Sequence, residues 1–174
     1  MNHPMNQVLP LPELNALEGD YMPPTELLLV PAGEFCGRDE TLYRNSNPKK
    51  IVALFKREGI ALAIDFDHSI YYHGGGAACG WIPKLEVRNG EIWGTGIEWL
   101  PDALWALRNK TYKYYSPHYM VDGATREIER LDVVSLVNRP RLSVAALNHL
   151  QNQETNFSEE NSMNLQDELN AALK

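Results

Sequence analysis

Apolar residues along this chain come in short runs, each closed by a residue that breaks a strand or caps a helix. Glu26-Leu27-Leu28-Leu29-Val30-Pro31 reads as a buried strand that Pro31 closes, followed by a glycine-containing loop through Gly37. Asn47-Pro48 then supplies a helix cap with proline in the first turn. Ile51, Val52, Leu54 and Phe55 make one apolar stripe behind it, and Gly59 ends the helix. Ile60, Leu62, Ile64 and Phe66 share one face of a central strand whose end is marked by Asp65, Asp67 and His68. Residues 77–87 and 92–99 flank Asn89-Gly90, the strongest short-range signal for a hairpin. Pro101 opens a second short helix with Ala103, Leu104, Ala106 and Leu107 on its apolar face, ending near Asn109-Lys110. A last pair of strands follows. Tyr114, Ser116 and His118 fall on one side of residues 112–121 and Tyr115, Pro117 and Tyr119 on the other; Asp122-Gly123 turns the chain, and 128–137 returns. Pro117 lacks the N–H of a central strand and so predicts an edge or a bulge.

Outside these runs the pattern fades. Residues 1–24, with prolines at 4, 10, 12, 23 and 24, predict an extended arm, and 25–150 hold all the strands and helices above. Residues 151–164 form a linker whose stretch 151–161 is too polar to order itself. Leu165, Leu169, Ala172 and Leu173 begin an amphipathic helix over 165–174 that breaks off at once, as if a longer helical region once followed. Strands joined by tight turns and alternating with short helices, not βαβ units, predict an α+β fold: a mostly antiparallel β-barrel ringed by short helices.

Composition narrows the function. Of 174 residues, 16 are basic and 23 acidic, and a net charge of −7 argues against a nucleic-acid partner, which needs a basic face. The longest apolar runs, such as residues 27–32, fall far short of the roughly 20 residues a membrane helix needs. Cys36 and Cys79 make no CxxC pair, so neither a disulfide framework nor a thiolate zinc site is expected, and a reducing cytoplasm fits.

Five histidines are available as bases. His3 lies in the arm and His149 at the linker border, leaving His68, His73 and His118; of these His68, at a strand end beside Asp67, is best placed. Taken singly it is more readily a surface or satisfied core histidine. Asp65, Asp67, His68 and His73 could make an oxygen and nitrogen metal site, though no further spaced ligand supports it. Gly74-Gly75-Gly76 lacks the lysine and helix of a phosphate loop. Cys79, between Ala78 and Gly80, reads as a small buried residue, and the tyrosines at 112, 114, 115 and 119 as packing groups, not a stacking platform. Ser116 alone would be passed over.

Four ordered blocks change that. Asp65-Phe66-Asp67-His68, Ala77-Ala78-Cys79-Gly80-Trp81-Ile82, Gly94-Thr95-Gly96-Ile97-Glu98-Trp99 and Tyr114-Tyr115-Ser116-Pro117 resemble the I-protein family of Mu-like phages and prophages, over about residues 25–150. More distantly, the order His, then Ser, then a strand leading to Arg is similar to HK97-type prohead proteases and herpesvirus assemblins, which share a β-barrel ringed by helices. The resemblance implies a prohead protease with Ser116 as nucleophile and His68 as general base. Asp132, ahead of a hydrophobic strand, is implied as third member and Arg139 as oxyanion support, with Arg141 close by and Pro140 interrupting the pattern. It further implies phage scaffold and major capsid proteins as substrates, a possible homodimer, and a place inside the assembling prohead in the host cytoplasm. An acyl-enzyme route of this kind needs no metal or cofactor. Under it, Asp65 and Asp67 are either alternative orienters of His68 or solvated charges, and 151–161 is the expected point of self-cleavage. Two rivals stay open: a non-catalytic scaffold or capsid-binding module, and a metal-dependent hydrolase built on Asp65, Asp67 and His68.

Overall fold

The computed structural model describes residues 23–140. The expected arm over 1–22, the expected linker and helix over 151–174, Arg141 and the expected self-cleavage point therefore lie outside the described residues. Ten strands and three helices follow in the order β1 (Glu26–Val30), β2 (Gly33–Cys36), β3 (Leu42–Asn45), α1 (Pro48–Glu58), β4 (Leu62–Phe66), α2 (Ser69–His73), β5 (Gly80–Ile82), β6 (Lys84–Arg88), β7 (Glu91–Thr95), β8 (Glu98–Trp99), α3 (Pro101–Arg108), β9 (Tyr114–Val121) and β10 (Ile128–Val137). The class is α+β, dominated by sheet. Among the described residues the strands form sheets of three (β1-β7-β6), five (β8-β5-β4-β10-β9) and two (β2-β3), and hydrogen bonding closes no ring of strands. None of the described helices is long and apolar enough to cross a membrane.

Local chemistry sets most of these elements. The Asn47 side chain accepts the Lys50 N–H at 3.2 Å, and Gly59 closes α1 at φ 67°, a left-handed conformation that glycine takes without strain. Ile51 and Val52 of α1 are buried, and the helix packs on β6, β7 and β10. Asn89-Gly90 joins β6 to β7 as expected, but the runs on either side are not one continuous hairpin. Their outer parts, β5 and β8, pair with each other in the five-stranded sheet. The long hairpin thus passes from one sheet to the other, and Gly94 sits where the two meet. A Cβ there would lie 2.8 Å from Ile82 Cγ2 and 2.9 Å from Leu29 Cδ1, so only hydrogen fits.

All of Leu27, Leu28, Leu29 and Val30 are buried, as the unbroken apolar run requires. Two tyrosines from β9 reach β1 across the core: Tyr115 donates to the Leu28 carbonyl at 2.8 Å and Tyr119 to the Leu29 carbonyl at 2.5 Å. Burial drives both phenols well above their ordinary pKa, so they remain donors. Their side of β9 is the core side, which turns Ser116 and His118 the other way. β9 is the edge strand that Pro117 predicts. β4 and β10 run parallel, a pairing that the hairpin pattern does not foretell. The hairpin β2-β3 stands where only a loop is expected, held partly by Arg44 on Glu34 at 2.7 Å.

Candidate active site

The site grows out of the three adjoining strands β4, β10 and β9. Ser135 of β10 is in register with Asp65 of β4 on one side and with Ser116 of β9 on the other. Residues directly opposite in a sheet point to the same face, so Asp65, Ser135 and Ser116 form one lateral row, each step about 5 Å. Asp65 and Ser135 are 0 % exposed and Ser116 2 %.

His68 reaches this row because the chain reverses just beyond β4. Asp67 and His68 both take left-handed backbone conformations, φ 54° and 58°, which cost an L-residue about 1 kcal/mol or more each. Several bonds hold the reversal in place. The Asp67 N–H donates to the Leu136 carbonyl at 3.0 Å, extending the β4–β10 ladder, and the Tyr112 hydroxyl donates to Asp67 Oδ2 at 2.5 Å. That bond to the carboxylate, with help from burial, pushes the Tyr112 phenol up to about 12. The Tyr72 N–H donates to the His68 carbonyl at 3.0 Å, starting α2, and the Ile70 N–H donates to Asp65 Oδ2 at 2.7 Å. α2 is thus made by its tether to Asp65 more than by its own five residues.

The reversal sets His68 Nδ1 2.9 Å from Ser135 Oγ. The same Oγ donates to Asp65 Oδ1. A hydroxyl carries one hydrogen, so if it goes to the carboxylate the imidazole must be the donor in the other bond. His68 then bears its proton on Nδ1, which makes Nε2 the acceptor nitrogen of the ring.

A cavity of about 230 Å³ opens over this row, lined by Tyr43, His68, Tyr72, Ser116, Pro117, His118, Tyr119 and Arg139. His68, Ser116 and Arg139, three of the residues singled out in the sequence, therefore border one space. Asp132, expected at His68, lies elsewhere. It sits in the β-bulge between Leu131 and Val133, and a bulge re-aims the side chain it carries. Its carboxylate accepts from Arg130 Nη2 at 2.9 Å and stands 3.9 Å from His118 Nδ1. His118 lies under the Tyr71 ring, centroids 3.8 Å apart, and 6.3 Å from the His68 ring.

Neither aspartate at the end of β4 bonds the His68 ring directly. Asp65 turns its carboxylate to Ser135, Ile70 and Ser69, and Asp67 turns its own to Tyr112. Among the described residues no three His, Cys, Asp or Glu side chains converge as a metal site. The Cys79 thiol, buried and near the Asp65 charge, is pushed up to about 12, which keeps it protonated and a poor nucleophile. Ser135 is the residue that sequence reasoning passed over. A signal was present: a lone hydroxyl in Val133-Val134-Ser135-Leu136-Val137 must find partners when buried.

No curated protein and no solved structure matches the chain. The family model described as Mu-like prophage I protein, N-terminal domain, matches residues 27–148, which includes every strand except for Glu26 at the start of β1, together with the residues of the cavity and of the Asp65-Ser135-Ser116 row. That match spans more than two thirds of the sequence, and the chain belongs to the Mu-like prophage I protein family.

Proposed function

We propose that this protein is a serine endopeptidase of phage prohead assembly, with Ser116 as nucleophile and His68 as general base. The observation that carries the reading is that Ser116 and His68 border one cavity while a buried hydroxyl holds His68 Nδ1. His68 Nε2 takes the Ser116 proton as Oγ bonds to the scissile carbonyl carbon, and the carbonyl oxygen becomes an oxyanion. Arg139, at the cavity rim, supports that charge. Collapse of the intermediate expels the amine, which takes the proton from Nε2, and water repeats the attack on the acyl-enzyme. Asp132 supports the second histidine, His118. The substrates are phage scaffold and major capsid proteins and the chain itself within 151–161, inside the assembling prohead in the host cytoplasm. The working unit is a homodimer.

A fluorophosphonate probe, which phosphonylates activated serines, tests the assignment without a known substrate. The full chain is expected to be labelled at Ser116 and to yield a product cut within 151–161 by intact mass. Ser116→Ala should lose both while keeping its thermal transition, since the residue is small and contributes one hydroxyl. A Ser116→Ala protein that still labels and cleaves sinks the assignment.

A further inference from the structure

We infer that Ser135 and Asp65 are positioning residues for this reaction, a carboxylate acting on His68 through one interposed hydroxyl. The inference rests on the protease reading. Neither residue touches substrate: both are fully buried beneath the cavity and neither lines it.

The row fixes both the tautomer and the direction of the imidazole. Asp65 is met by three donors, the Ser135 hydroxyl, the Ile70 N–H and, at 3.4 Å, the Ser69 hydroxyl, so its carboxylate is held on two sides by α2 and on the third by β10. Ser135 gives its only hydrogen to that carboxylate and presents a lone pair to His68 Nδ1–H. His68 cannot turn its ring over without losing this bond. When Nε2 receives the Ser116 proton, the imidazolium forms one hydroxyl away from a buried anion, where solvent screens little. The groups facing His68 are Ser135 with Asp65 behind it, Tyr72 at 6.2 Å and His118 at 6.3 Å between ring centroids, with Ser116 and Arg139 on the cavity wall.

The alternative use of the same contact is Ser135 as nucleophile. Its burial and its absence from the cavity wall oppose that, whereas Ser116 borders the open space.

Nitrogen-15 NMR of the unaltered protein near pH 8 tests the inference directly: His68 is expected as the Nδ1–H tautomer, and an Nε2–H tautomer overturns it. Fluorophosphonate labelling against pH tests its consequence. Ser135→Ala should slow labelling of Ser116 by roughly 10²-fold or more, the size of a lost general-base contribution, and Ser135→Thr should restore most of it. Asp65→Asn should move the midpoint of the pH–rate curve down, because the imidazolium loses its anion; a merely structural loss would lower the labelled fraction and leave the midpoint in place. Wild-type rates and midpoint in both Ser135→Ala and Asp65→Asn overturn the inference while Ser116→Ala still fails to label. Peptide mapping that puts the label on Ser135 overturns the inference and the assignment of Ser116 as nucleophile together.

Discussion

The two histidines of the cavity are both backed by a carboxylate, yet in opposite ways. His68 stands on a fully buried relay in which each polar atom meets a partner on an adjoining strand or helix turn. His118 is on the same sheet face as Ser116, but its carboxylate, Asp132, sits in a bulge with its side chain 31 % exposed and shared with Arg130. Arg130 in turn reaches Glu58 at 3.8 Å. Charges exposed to this degree are screened and mobile, and such pairs contribute little, whereas a buried carboxylate interacts at lower effective dielectric. Equal ingredients thus give unequal bases, and the sheet register decides which is which.

The largest expected effect separates the two rings by activity. His68→Ala should reduce the rate of fluorophosphonate labelling at Ser116 by roughly 10³-fold, within the span of general-base loss, and His118→Ala by about tenfold or less. Comparable losses in the two variants would mean that Ser116 draws on both imidazoles, and a larger loss in His118→Ala would reverse the assignment.

Much of this contrast lies beyond reading from sequence for a physical reason. Local rules place the caps of α1, the Asn89-Gly90 turn and the alternation that sets Ser116 and His118 on one face, because each depends on residues within a turn or two. The strand end at Asp67-His68 is legible too. What joins Asp65 to Ser135 is register between strands 70 positions apart, and what joins Ser135 to Ser116 is register across the β9–β10 hairpin; parallel β4–β10 pairing leaves no turn to read. Asp132 shows the same limit from the other side: the alternation of a strand is readable, but one bulged residue shifts the side to which an aspartate points. The helix α2 and the hairpin β2-β3 escape notice because long-range bonds, Ile70 to Asp65 and Arg44 to the Arg126 carbonyl, supply what their short sequences lack.

The second expected effect is on stability. Asp65→Ala removes the partner of the fully buried Ser135 hydroxyl and of the Ile70 N–H, and should lower unfolding free energy by about 3 kcal/mol. Asp132→Ala removes a half-exposed pair and should lower it by about 0.5 kcal/mol. Urea unfolding of the two variants measures the difference. Equal losses would show that burial in the row adds nothing beyond a surface ion pair.

The smallest effect uses Cys79 as a reporter of charge on Asp65. Burial first, and the Asp65 charge second, push its thiol from 9.0 to about 12. A folded pKa raised above the unfolded one means that the native state holds the proton longer. The resulting stability is complete below about pH 9 and is lost as pH rises from there through about 12. Asp65→Asn removes the second cause and leaves the first, so Cys79 should titrate lower than in the parent yet still above 9.0, and the alkaline loss of stability should be shallower. Asp132→Asn, acting from the far bulge, should leave the thiol where it is. Alkylation rate against pH in a Cys36→Ser background reads Cys79 alone, since these are the two cysteines of the chain. A thiol indifferent to Asp65→Asn would mean that the Asp65 charge is not felt across the core, and then His68 gains nothing from a buried carboxylate behind Ser135 and the two histidines stand on equal terms.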